Sequence, residues 1–287
     1  MSTWVRLASF IAIGAAVLGA GAALGTRFTA DADDHGTEEA EPRMAVGEGV
    51  VVTAEGYRLV PASTELAAAG GQLIFTVLGP DGSPVHRFDT VHERDLHLVV
   101  ASRDLTAYHH LHPRLEADGS WSVDVPAVPP GSYRAIADFQ VSGGPHLVLG
   151  TDLGVAGEYR PAHPGDPAAV ASVDGYEVTV AYDDGGRRDG TVEVTMTVRR
   201  GGELVDDLQP YLGAMGHLVA LRSGDLAYAH VHPHDTAGDP GVVRFDAELA
   251  APGRYRLFFD FQHEGTVRTA AFTFDQGLVI DAPSMEH

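Results

Sequence analysis

Most of this chain is one domain written twice, and no other feature of the sequence restricts its fold as much. The segment His97–Pro113 aligns without a gap on His217–Pro233, 120 residues further on, and 8 of the 17 positions are identical. Gly56-Tyr57 matches Gly175-Tyr176 at an offset of 119, and Gly131-Ser-Tyr-Arg134 and Asp138-Phe-Gln140 match Gly253-Arg-Tyr-Arg256 and Asp260-Phe-Gln262 at 122. An offset that drifts by three residues marks a duplicated domain with small loop insertions. Each copy has roughly 105 residues, an ordinary size for one domain with its own core.

Within each copy the hydrophobic period is two. Gln72–Leu78, Ser120–Val125 and Ser132–Val141 read as strands, as do Thr191–Val198, Val242–Leu249 and Tyr255–Gln262. Pro80-Asp-Gly-Ser-Pro84, Asp118-Gly119 and Pro130-Gly131 punctuate them as turns. No amphipathic helix of useful length follows residue 31. The expected fold is therefore all-β: two tandem antiparallel β-sandwich domains of immunoglobulin or cupredoxin type, each with about seven short strands around its own core. The boundaries expected are residues 49–157 and 169–277, joined by a proline-rich linker over 158–168 and followed by a tail, 278–287.

Residues 1–30 read as an export signal. Arg6 precedes an apolar stretch from Leu7 to Gly25, and an acidic run from Asp31 to Glu41 follows. This stretch of nineteen residues, interrupted only by Ser9, is long for a cleaved signal core and near the minimum for a spanning helix. Two outcomes are expected: a single-pass anchor in the cell membrane with the bulk of the chain extracytoplasmic, or secretion after cleavage near Ala32. The flanking charges orient the chain outward in either case. Residues 31–48 form an acidic spacer too polar to fold alone.

Composition narrows the chemistry. With 40 acidic against 19 basic side chains the formal charge is −21, and no cationic patch is supplied for nucleic acid. The absence of cysteine removes disulfides, thiolate nucleophiles and blue-copper centres. There are 15 histidines, and six of them are three positions recorded twice: His97 with His217, His110 with His230, and His112 with His232. Asp138 and Asp260 are also repeated. In an extended strand, residues two apart project to one face, so each His-X-His presents two imidazoles together. A hairpin of the length between His97 and His110 returns a third beside them, a pattern suited to metal. The candidate ligands are thus His97, His110 and His112 in one copy and His217, His230 and His232 in the other. Asp138 and Asp260 are added as carboxylate ligands or as acceptors that orient an imidazole.

Imidazole and carboxylate donors select copper(II) or zinc, and Met215, matched by Asp95, gives no methionine-based copper(I) site. The competing reading is a metal-free interaction or adhesion module in which the histidines form structural hydrogen-bond networks. In Tyr255–Gln262 the apolar face is Tyr255, Leu257, Phe259 and Phe261, which puts Asp260 on the other face, away from the core. Tyr108 and Tyr228 share the His-X-His face and read as packing residues. His86, His92, His109, His146, His163, His234 and His263 have no counterpart and are left outside the site. No Gly-X-Ser-X-Gly elbow or phosphate loop is present, so no enzyme is expected. A metal-dependent hydrolase is a weaker third reading.

His-Leu-Val, then Asp-Leu, then His-X-His-Pro, with Gly-X-Tyr and Asp-Phe-Gln downstream, resembles a largely uncharacterised family of bacterial exported β-sandwich domains. The residues carrying the likeness are His97, Asp104, Leu105, His110, His112 and Pro113, then Tyr211–His217, Asp225, Leu226, His230, His232 and Pro233. The resemblance covers about residues 50–275 and implies an extracytoplasmic sandwich, in a family often encountered with heavy-metal or copper handling. The first copy departs from it at Val91–Leu96, which stands against Tyr211–Gly216.

Overall fold

The computed structural model describes residues 48–183, 191–234, 239–249 and 251–277. The export segment expected over 1–30, almost all of the spacer expected over 31–48, and the tail 278–287 lie outside the described residues. Every regular element that is described is a strand, and no helix there is long and apolar enough to cross a membrane.

The first copy contributes β1 (Thr53–Ala54), β2 (Tyr57–Pro61), β3 (Glu65–Leu66), β4 (Gly71–Leu78), β5 (Phe88–Asp89), β6 (His97–Ser102), β7 (Tyr108–Leu111), β8 (Arg114–Leu115), β9 (Ser120–Val125), β10 (Gly131–Val141) and β11 (His146–Val155). They form two layers, ordered β1-β2-β4-β9-β8 and β3-β11-β10-β6-β7, with β5 pairing β10. The second copy contributes β12 (Val170–Val173), β13 (Tyr176–Asp183), β14 (Thr191–Arg200), β15 (Glu203–Leu204), β16 (His217–Arg222), β17 (Tyr228–Pro233), β18 (Val242–Glu248), β19 (Gly253–His263) and β20 (Thr266–Gln276). Its path is continuous, β12-β13-β14-β18-β17-β16-β19-β20, with β15 on β14. Strand β17 joins the layers by pairing β16 at its start and β18 over His230–Pro233. In the first copy the same stretch breaks at His112-Pro113, so that β7 stays on β6 and β8 pairs β9.

The alternation seen in the sequence builds each sandwich. In β14, Val192, Val194, Met196 and Val198 enter the second copy's core, where they meet Phe245, Phe259, Phe261 and Phe272. Leu73, Phe75, Val77 and Trp121 do the same in the first copy, against Tyr133 and Phe139. Both copies also carry a tyrosine corner. Tyr133 Oη donates to Pro129 O at 2.7 Å and Tyr255 Oη to Ala251 O at 2.8 Å, a contact typical of immunoglobulin-like sandwiches. This contact explains why Gly-X-Tyr survived the duplication.

Each copy does have its own core, and a third apolar cluster lies between the copies. Val99, Ala101, Leu105, Ile136 and Val148 of the first pack with Val219, Leu221, Leu226 and Phe258 of the second. The strands involved are therefore apolar on both faces. Leu98 and Val100 point into their own sandwich while Val99 and Ala101 point at the other copy. Leu105 and Leu226 sit at the repeated Asp-Leu with φ of +56° and +61°, a left-handed conformation unfavourable for a branched side chain. The preceding aspartates hold these turns: Asp104 Oδ1 accepts from Ser102 Oγ at 2.6 Å, and Asp225 Oδ1 from the Ala227 amide at 3.0 Å. Burial of both leucines in the junction offsets the strain. Replacing Leu226 with alanine is expected to lower the unfolding free energy by ~2–5 kcal/mol, read from urea denaturation. A loss below about 1 kcal/mol would show that the junction contributes little.

Candidate metal centre at the junction of the two copies

His97 opens β6, and His110 and His112 flank Leu111 at the end of β7, so the β6–β7 hairpin brings the three rings together. Each offers a ligand atom, and the three atoms lie within 4.8 Å of one another. The ring centroids are 5.3, 5.2 and 4.9 Å apart. Imidazoles on one tetrahedral ion, with bonds of ~2 Å, have centroids about 5 Å apart.

The hydrogen bonds settle which nitrogens face inward. His97 Nε2 lies 3.0 Å from Val91 O, a pure acceptor, so Nε2 carries the proton and Nδ1 carries the lone pair. His110 Nδ1 lies 3.1 Å from Asp260 Oδ2, so the carboxylate takes that proton and leaves Nε2 inward. His97 Nδ1 and His110 Nε2 then face each other at 3.1 Å. This close approach of two nitrogens is bridged by a proton or by a metal cation. His112 Nε2 is buried without a hydrogen-bond partner among the described residues. This donor set and spacing fit a divalent ion.

Asp260 belongs to the second copy. It nevertheless accepts from His110 Nδ1 and also from Tyr108 Oη, at 3.4 Å, both from the first copy. The relation is reciprocal, since Tyr228 Oη donates to Asp138 Oδ2 at 3.4 Å. Tyr108 further stacks on Phe258, its ring 3.9 Å away and 5° from parallel. Asp260 does lie opposite Phe259 and Phe261, as alternation requires, and the face it occupies is covered by the other copy. Asp138 stands beside His97 in the β10–β6 ladder, yet its Oδ1 accepts from His146 Nε2 at 2.6 Å. His146 has no counterpart in the other copy, so the repeat gives no sign of it.

His217 joins the first cluster, with its ring 6.3 Å from that of His97 and 5.9 Å from that of His110. Its Nε2 bonds Tyr211 O at 2.8 Å, the duplicate of the His97–Val91 contact. His232 is exposed on β17, opposite Asp246. The side chain of His230 lies outside the described residues, although its backbone pairs with Glu248. His92 is a further imidazole that the repeat search missed, centred 5.7 Å from His217 and 6.1 Å from His97. It occupies a two-residue turn in which His92 and Glu93 have φ of +48° and +61°, just as Leu212 and Gly213 have +54° and +77°. The segments 91–96 and 211–216, so different in sequence, thus make the same turn and present the same carbonyl. A cavity of about 440 Å³ adjoins the cluster, walled by residues of both copies that include His92, His97, His217 and His232.

This is a tandem antiparallel β-sandwich with a buried histidine cluster at the junction of its copies. The chain belongs to a family described as a domain of unknown function (DUF8832), which matches it over residues 50–151 and again over 171–277. No curated protein matches. Among solved structures, InvD of Yersinia pseudotuberculosis is 13% identical with a TM-score of 0.25, over 77% of this chain and 58% of that one. A marsupial T cell receptor is 11% identical with a TM-score of 0.24, over 77% and 99%. Invasin, a bacterial integrin-binding protein, is 10% identical with a TM-score of 0.24, over 78% and 40%. The match spans little more than half of the InvD chain.

Burial first, and then the neighbouring His110, push His97 and His217 down to about 4 and His112 down to about 2. Unfolded histidine titrates near ~6.5. Below that pH the unfolded chain takes up protons that these folded imidazoles refuse, so stability falls as pH drops from about 6.5 towards 4. The metal-stripped protein is expected to show a lower Tm at pH 5 than at pH 7. An unchanged Tm across that window would show that the cluster does not carry this linkage.

Proposed function

We propose that this is an exported divalent-metal-binding protein that holds copper(II) or zinc at His97, His110 and His112, for buffering, delivery or sensing outside the cytoplasm. The observation that carries the reading is the pair of inward nitrogens at 3.1 Å whose outer nitrogens are both committed as donors. Export rests on residues 1–30, read as a signal or single-pass anchor. The duplication extends the proposal to a second equivalent at His217, His230 and His232, with Asp138 as a further carboxylate.

His97, His110 and His112 would hold the ion, which supplies positive charge to the facing lone pairs. Asp260 keeps the proton of His110 on Nδ1 and raises the basicity of Nε2. For His97 the Val91 carbonyl holds the proton on Nε2 and leaves the Nδ1 lone pair inward. Tyr108 and Tyr228, whose hydroxyl pKa values are driven well above 10 by burial, stay protonated and donate to the two aspartates. One observation favours a second reading, a metal-free interaction module: the His110–Asp260 and Tyr108–Asp260 bonds tie the copies together without any ion.

Calorimetry separates the two readings. The chelator-stripped protein is expected to bind copper(II) or zinc saturably, and the His97→Ala/His110→Ala/His112→Ala variant to lose at least one equivalent. Asp260→Asn is expected to weaken that equivalent by ~10–100-fold although it lies in the other copy. Identical isotherms for the wild type and the triple variant would sink the metal reading and leave the structural one.

A further inference from the structure

A second group of metal-ligating side chains lies away from the junction, on the outer face of the second sandwich. Glu193 on β14 stands directly opposite Asp246 on β18 in the antiparallel ladder. His234, just beyond β17, bonds Asp246 Oδ2 through Nε2 at 2.8 Å. One donor atom from each of the three lies within 4.8 Å of the other two. From this geometry we infer that Glu193, His234 and Asp246 form a separate divalent-cation site, taking zinc or manganese.

Two carboxylates directly opposite across a strand pair repel each other, so the fold maintains an arrangement that a cation relieves. One imidazole with two carboxylates is a donor set used for zinc, and oxygen-rich sites also suit manganese. Without sulfur, the group disfavours copper(I). Glu193 and Asp246 come from neighbouring strands whose alternate side chains, Val192, Val194, Phe245 and Ala247, are locked in the core, so these two carboxylates rest on a rigid base. The side chains of His234 and Asp246 are about one-third exposed, which leaves the site open to solvent. Arg244, two residues before Asp246 on β18, is held by Asp239. His232 stands on the other side of Asp246, so a single row, Glu193, Asp246 and His232, runs from this site to the wall of the junction cavity. The first copy lacks an equivalent. On the matching face of β4 and β9, Gln72 stands opposite Asp124 and Ile74 opposite Ser122. The site is therefore invisible to a search for repeated residues.

The test is zinc and manganese titration of the stripped full chain and of two variants, Glu193→Gln/Asp246→Asn and His97→Ala/His110→Ala/His112→Ala. The first variant is expected to take up one zinc equivalent fewer than the wild type, with unchanged circular dichroism. The triple-alanine variant is expected to keep that equivalent, so loss of the junction centre and loss of this one read separately. A tenfold or greater weakening by His234→Ala supports the imidazole as a ligand. Equal stoichiometry for the wild type and Glu193→Gln/Asp246→Asn would overturn the proposal.

Discussion

Burial of two sheet faces against each other is the constraint on which the rest depends. In a lone sandwich the outer face of β6 and β10, and of β16 and β19, would meet water. Here Val99, Ala101, Ile136, Val219, Leu221 and Phe258 lie on those faces and are nearly inaccessible because the copies cover one another. Apolar burial of this kind is the dominant favourable term in folding and association. It also creates a dry seam in which polar groups must find partners within the protein.

The histidine cluster sits at the edge of that seam, and its properties follow from the position. The seam brings Asp260 to His110 and Asp138 to Tyr228, exchanging the aspartates between copies. Removal of water favours the neutral form of His97, His112 and His217, the form in which imidazole ligates metal. The same bonds that orient the rings tie the copies together, so an ion at His97, His110 and His112 would be coupled to the docking of the second sandwich. The outer site at Glu193, His234 and Asp246 has neither feature: it is part exposed and built from one copy alone.

The two copies have diverged unequally around this frame. Val91–Arg94 and Tyr211–Ala214 differ in every residue yet share left-handed central positions and deliver one carbonyl each to His97 and His217. Backbone geometry was kept where side chains were not. Conversely, β17 runs through His232-Pro233 to bridge both layers, while the first copy breaks its strand at His112-Pro113. That break leaves His112 at the end of β7, beside the other two rings.

Taken alone, the sequence determined the all-β class, the duplication, the strand faces and the repeated polar residues, because alternation and turn chemistry are local and are written along the chain. It also placed Asp260 opposite the core-facing phenylalanines. It carried a sign of the junction as well, in the unbroken apolar runs Leu98–Ala101 and Leu218–Leu221, since a strand that alternates on neither face is covered on both. Only the tertiary structure decided what covers them. It assigned Asp260 to His110 of the other copy, drew His92 and His217 to the same cluster, and set Glu193 beside His234. Those relations join residues from about 40 to 150 positions apart through packing of whole sheets. No local pattern records such pairings, because they depend on how two finished surfaces fit.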